Sequence, residues 1–198
     1  MATFTKTKQT ALASIQSVSA SSVFISSAFD MSTKMGGNLQ IRFGRTSATA
    51  AGAGVNIRCE ASSESSGDNS WFPFAIIPTA FAACEAEVLT GTVSSGQNVL
   101  TLASTTNLTA GDLIFIKNST FANSEWGRIK SIVSNTSVTI EDNLVNTQTG
   151  STIYDLAEIY PIINIPESAI RIRVVADGSL FTQAFAFHCG LITIDSFG

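Results

Sequence analysis

Val55-Asn56-Ile57-Arg58-Cys59-Glu60-Ala61 alternates without a break: Val55, Ile57, Cys59 and Ala61 point one way, Asn56, Arg58 and Glu60 the other. A period of two marks a strand with one face in a core and one in water. The pattern recurs upstream, where Leu39, Ile41 and Phe43 oppose Gln40 and Arg42, and downstream, where Ile170, Ile172 and Val174 oppose Arg171 and Arg173. Residues 181–187 (FTQAFAF) and 191–194 (LITI) predict two more strands, the second apolar on both faces and therefore central or covered. Ser and Thr are abundant, which suits strands and turns, and no dozen-residue window carries a 3.6-residue period. Turn residues punctuate the runs at Gly36-Gly37-Asn38, Ala51-Gly52-Ala53-Gly54, the polar stretch 62–70 and Asp177-Gly178, the last a hairpin signal. The predicted class is all-β, a sandwich or jelly-roll-like domain.

Residues 86–157 read differently. Five short strands, at 88–93, 99–102, 112–117, 126–133 and 137–140, follow at near-regular spacing, with turns at Gly111-Asp112 and Ser134-Asn135. They predict a small closed β-barrel, with Trp126 in its core. Its three basic residues (Lys117, Arg128, Lys130) face six acidic ones (Glu87, Asp112, Glu125, Glu141, Asp142, Asp155), so it carries most of the chain's net charge of −4. The reading is a discontinuous β-sandwich of residues 1–85 and 158–198, with an extended N-terminal arm and residues 86–157 as an inserted small β-barrel domain. Two sequential domains plus a tail would leave the last strands without a sheet.

Charged residues are 13% of the 198, and eleven Lys and Arg are spread thinly, which argues against a nucleic-acid binder. Mean hydropathy is +0.28, yet no run approaches the 18 or so apolar residues of a membrane span. Lys6 and Lys8 are followed by no apolar stretch, so no secretory signal is predicted. Cys59, Cys84 and Cys189 lack CxxC spacing and read as buried free thiols of a reducing compartment. His188 and Cys189 are adjacent, but in a strand their side chains diverge, which leaves an ordinary strand position rather than a metal or thiolate pair. No G-x-S-x-G elbow is present. Gly52 and Gly54 lack the lysine and helix start of a phosphate loop and read as an exposed loop or a close approach between subunits. Glu60 alternates outward, and Glu64, Asp68 and Asn69 lie in a Ser-rich loop without the spacing of a calcium site. No catalytic residue, metal ligand or cofactor site is therefore named, and no enzyme is expected. The candidates are contact residues instead. Phe4, Lys6 and Lys8 sit on the arm, expected to be disordered alone and ordered against a neighbouring subunit. Trp71, Phe72 and Phe74 form a core or subunit contact, with a carbohydrate-stacking platform as the alternative.

Residues 21–46 (SSVFISSAFDMSTKMGGNLQIRFGRT), 54–74 (GVNIRCEASSESSGDNSWFPF), 110–144 (AGDLIFIKNSTFANSEWGRIKSIVSNTSVTIEDNL) and 167–195 (ESAIRIRVVADGSLFTQAFAFHCGLITID) resemble structural proteins of tailed bacteriophages and prophages. The GD-x-I-x-I and EW-x-R-I-x-S-I portions are similar to small barrels inserted in virion proteins. Within that group the chain looks most like a capsid decoration, or cement, protein. The resemblance implies a homotrimer on the capsid surface of the virion, seated over junctions of the major capsid protein and synthesised in the bacterial host cytoplasm, with no nucleic-acid, membrane or cofactor partner. It transfers no catalytic or ligand residue. A neck, tail or fibre-base protein, a glycan-binding module built on Trp71, and a hydrolase with an unrecognised carboxylate pair are the rival readings.

Overall fold

The computed structural model describes residues 4–49, 55–79, 82–180 and 182–197, with the backbone alone at 4, 161, 196 and 197. The Gly52–Gly54 loop and Phe181 lie outside the described residues. In chain order the strands are β1 (Phe4–Lys8), β2 (Ala13–Val18), β3 (Val23–Ile25), β4 (Phe29–Asp30), β5 (Gly36–Arg45), β6 (Val55–Ser62), β7 (Phe72–Thr79) and β8 (Ala86–Val88). They continue with β9 (Val99–Thr101), β10 (Leu113–Lys117), β11 (Glu125–Val133), β12 (Ser137–Ile140), β13 (Thr152–Tyr154), β14 (Glu158–Asn164), β15 (Arg171–Asp177) and β16 (Phe185–Phe197). One 3-10 turn, Phe121–Asn123, is the helical element among the described residues. The class is all-β.

Two antiparallel sheets make the sandwich. In one, β14, β5 and β16 run side by side and both β1 and β2 pair with the far edge of β16; in the other, β7, β6 and β15 do so, with β3 and β4 on the far edge of β15. Counting β1 with β2, and β3 with β4, as single broken strands leaves eight. Their order is first-eighth-third-sixth in one sheet and second-seventh-fourth-fifth in the other. That is the jelly roll, two interleaved Greek keys. Leu39, Ile41 and Phe43 of β5 meet Val55, Ile57, Cys59 and Ala61 of β6 and Ile172 and Val174 of β15 in a shared core, all at 0% exposure. The alternation in these strands is thus the burial pattern of the core.

The strands between residues 86 and 154 pair only with one another, in the order β8-β13-β10-β11-β12-β9. An isolated bridge between Leu89 and Leu102 brings the two end strands together, curling the sheet around Leu100, Ile114, Ile116, Ile129, Val138 and Ile153. A third apolar cluster joins this unit to the sandwich: Phe115, Tyr154, Ala157 and Cys84 pack with Ala186, and Ile15 and Trp126 flank them. Phe115 rests on the backbone of Gly44, where a Cβ would lie 2.6 Å from its ring, so only glycine fits. Chain entry and exit are clasped: the Asp155 N–H donates to Glu85 O at 3.3 Å, and the Glu85 N–H to Asp155 Oδ1 at 2.8 Å.

Several sequence expectations are corrected. One continuous strand, beginning at Phe185, stands where two were expected, because Gly190 keeps an extended backbone opposite Gln40. Asp177-Gly178 is no hairpin: β15 and β16 lie in different sheets, and the chain crosses between them with the Gly178 N–H on Ser22 O at 3.0 Å. The N-terminal arm is a strand of its own sheet. The end of β16 runs past β2 and leaves an edge on which residues 4–8 pair. Trp126 lies outside the barrel core: it turns to the sandwich and donates its indole N–H to Phe43 O at 3.0 Å. The barrel also contains a strand without a clear sequence signal, β13.

Candidate functional site

The outer face of the β14-β5-β16-β1 sheet is built by register. His188 stands opposite Arg42, Gly190 opposite Gln40, and Ile192 opposite Asn38; on the flanks Lys8 pairs with Ile192 and Ile159 with Arg42. Phe187, Cys189 and Leu191 point into the core, which turns His188, Gly190 and Ile192 outward. Asn38, Gln40, Arg42, His188, Gly190 and Ile192 line a groove of about 450 Å³, with Lys6, Lys8 and Gln9 along one side and Ile162 on the other. Gly190 is its floor. A Cβ there would meet the His188 ring at 3.5 Å and Gln40 O at 3.8 Å, which is ordinary contact distance, so the depression exists because no side chain fills it. Ile162 and Ile192 are 69% and 45% exposed, giving the groove apolar flanks.

Its electrostatics are one-sided. Lys6, Lys8 and Arg42 contribute positive charge, and no lining residue is a carboxylate. Burial, together with the charges of Arg42 and Lys8, lowers the His188 pKa to about 4, so its imidazole is neutral at physiological pH. Arg42 Nη2 reaches Gln40 Oε1 at 3.4 Å, while Arg42 Nε and His188 Nδ1 are buried and find no hydrogen-bond partner among the described residues. A second cleft of about 460 Å³ continues from Arg42 and His188 beneath the inserted unit, past Trp126, Glu125, Asp142 and Val145. Glu125 is committed elsewhere, accepting from the Val145 and Asn146 N–H groups at 2.9 and 2.7 Å and from Gln148 Nε2 at 3.0 Å.

The contact residues named from sequence fall on two separate faces. Lys6 and Lys8 line the groove. Phe4 places its backbone in β1, and its side chain lies outside the description. Phe72 and Phe74 belong to β7 of the other sheet, and Trp71 precedes that strand. Arg171 and Arg173 lie over the Trp71 ring at 4.8 and 4.3 Å from its centroid, Phe74 packs against the core, and Phe72 is 41% exposed. Arg173 and Arg58 also hold Glu60 at 2.7 and 3.2 Å, so this outward carboxylate is covered to 7% exposure. Sequence reasoning missed Arg42, Gln40, Gly190, Ile162 and Ile192 as one site. The alternation placed Gln40 and Arg42 on the polar side of a strand, but only the pairing of β5 with β16 brings them beside His188.

Other chemistry is quiet. Burial pushes the Cys59 thiol up to about 12 and Cys84 to about 11, and raises that of Cys189 as well, so all three stay protonated near neutrality. Cys189 is fully buried on the face away from His188, which separates the two chemically. Among the described residues no group of three His, Cys, Asp or Glu side chains is placed to hold a metal ion, and no helix is long and apolar enough to cross a membrane. Comparison with protein-family models and with curated proteins finds no match.

Proposed function

We propose that the chain is a non-enzymatic structural protein of a bacteriophage virion, a capsid cement protein that bridges major capsid protein subunits and works as a homotrimer. The observation that supports it best is the groove: a sheet face lined by lysines, an arginine, amides and exposed isoleucines, which offers contacts to protein and no set of groups arranged for bond-making. Jelly rolls recur in viral capsid proteins as well as in lectins and cupins, so the fold is compatible and the site must carry the argument. Clamping would act by mass action: a protein that binds the assembled shell and not its separated parts shifts the equilibrium towards the shell. Two guanidinium groups lie over the Trp71 ring, which favours a structural role for it over a carbohydrate-stacking platform.

Shells purified from a phage lacking the protein supply the test. Added protein is expected to bind at stoichiometric occupancy and raise the shell melting temperature, and sedimentation of the free protein is expected to give a trimer. Absence of binding to such shells, with the chain missing from purified particles, overturns the reading.

A further inference from the structure

We propose that the groove over Gly190 is a docking site for an acidic extended segment of a partner protein, with Arg42 and Lys8 taking its carboxylates and Ile162 and Ile192 its apolar side chains. The inference rests on the functional reading only in making the partner a protein; the groove chemistry stands by itself.

Three observations converge on it. The lining contains Lys6, Lys8 and Arg42 and no acid, whereas Arg58 and Arg173 of the opposite sheet are matched: both hold Glu60, and Arg58 also holds Asp177 at 3.1 Å. Arg42 Nε finds no acceptor among the described residues and Nη2 has only a long contact to Gln40, so the guanidinium is not committed to a carboxylate of its own chain. Position 190 is glycine in the middle of a sheet, where a side chain would fit the space and suit the strand better, so the empty floor is room for something else. The shape favours an extended chain over a compact ion. The register spaces Lys6, Lys8 and Arg42 along the sheet rather than at one point, with the Gln40 amide between Lys8 and Arg42 to meet a main chain.

The sequence holds a single histidine, so the imidazole resonances of His188 report on the groove without assignment ambiguity. A hexaglutamate peptide titrated into the full chain is expected to move those resonances, with affinity falling about tenfold or more as salt rises from low to physiological strength. Arg42→Gln and the Lys6→Gln/Lys8→Gln pair are each expected to weaken binding at least about tenfold. Gly190→Leu fills the floor and is expected to abolish binding while circular dichroism and melting stay as in the parent. The inference is overturned by any of three results: no His188 shift with millimolar hexaglutamate, undiminished binding by Gly190→Leu, or inorganic phosphate acting as strongly as the peptide. A parallel arm adds Gly190→Leu to shells lacking the protein. Peptide binding by the parent without shell binding keeps the groove and removes the capsid role. Shell binding unaffected by Gly190→Leu, with no peptide binding, does the reverse.

Discussion

At His188 the sheet half-buries an imidazole between Arg42 and Lys8, with Trp126, Glu125 and Asp142 facing it from the inserted unit. Its folded pKa of about 4 lies below the ordinary value near 6.5, so the folded state binds fewer protons in that interval. Stability from this group is therefore whole above pH 6.5, declines as pH falls towards 4, and is flat below. Allowing for solvent screening, the loss amounts to about 1–2 kcal/mol. Denaturant melts of the parent and His188→Gln at pH 7 and pH 4.5 should differ by that amount, with the variant the less pH-sensitive. Gly44 makes a steric prediction instead. With the Phe115 ring 2.6 Å from where a Cβ would stand, Gly44→Val is expected to cost about 1–3 kcal/mol, read as a lower urea midpoint at unchanged slope.

Among the elements, β16 organises the most: its 13 residues pair with β5 along one side and with β2 and then β1 along the other. Its partner β1 is held differently. Thr5, Lys6, Thr7 and Lys8 are all exposed, so β1 contributes main-chain pairing and charge but no core. Removing residues 2–8 is expected to lower the melting temperature by only a few degrees while weakening hexaglutamate binding about tenfold. Here the limits of the sequence show. Strands such as β5, β6 and β15 are legible because each buries one face, and the curled unit because its turns are evenly spaced. The strands β2, β3, β4 and β14 are not, since short or edge strands bury too little to force alternation. β7 and β14 also carry Pro73, Pro78 and Pro161, which break the pattern while guarding open edges. Half of the groove is legible, in Lys6 and Lys8. The other half depends on register between strands far apart in sequence, which alternation cannot supply.

For the molecule as a whole, the third apolar cluster decides whether two cores melt as one. Phe115 is fully buried there, touching Trp126 at 4.9 Å between ring centroids as well as Gly44. Phe115→Ala is expected to cost about 3–5 kcal/mol and to split a single calorimetric transition into two, the sandwich and the inserted unit unfolding separately. One transition in the variant would show that the clasp at Glu85 and Asp155 suffices to couple them. The chain order of the strands has a further consequence at the ribosome. Once Tyr154 has emerged, β8 through β13 have every partner they need, and that unit can close during synthesis. The jelly roll cannot: β5 waits for β16, and until it arrives the apolar side of β5 has no finished sheet to belong to. Nascent chains stalled between the two points would hold a folded middle flanked by sticky, incomplete ends, the interval in which a chaperone has most to protect.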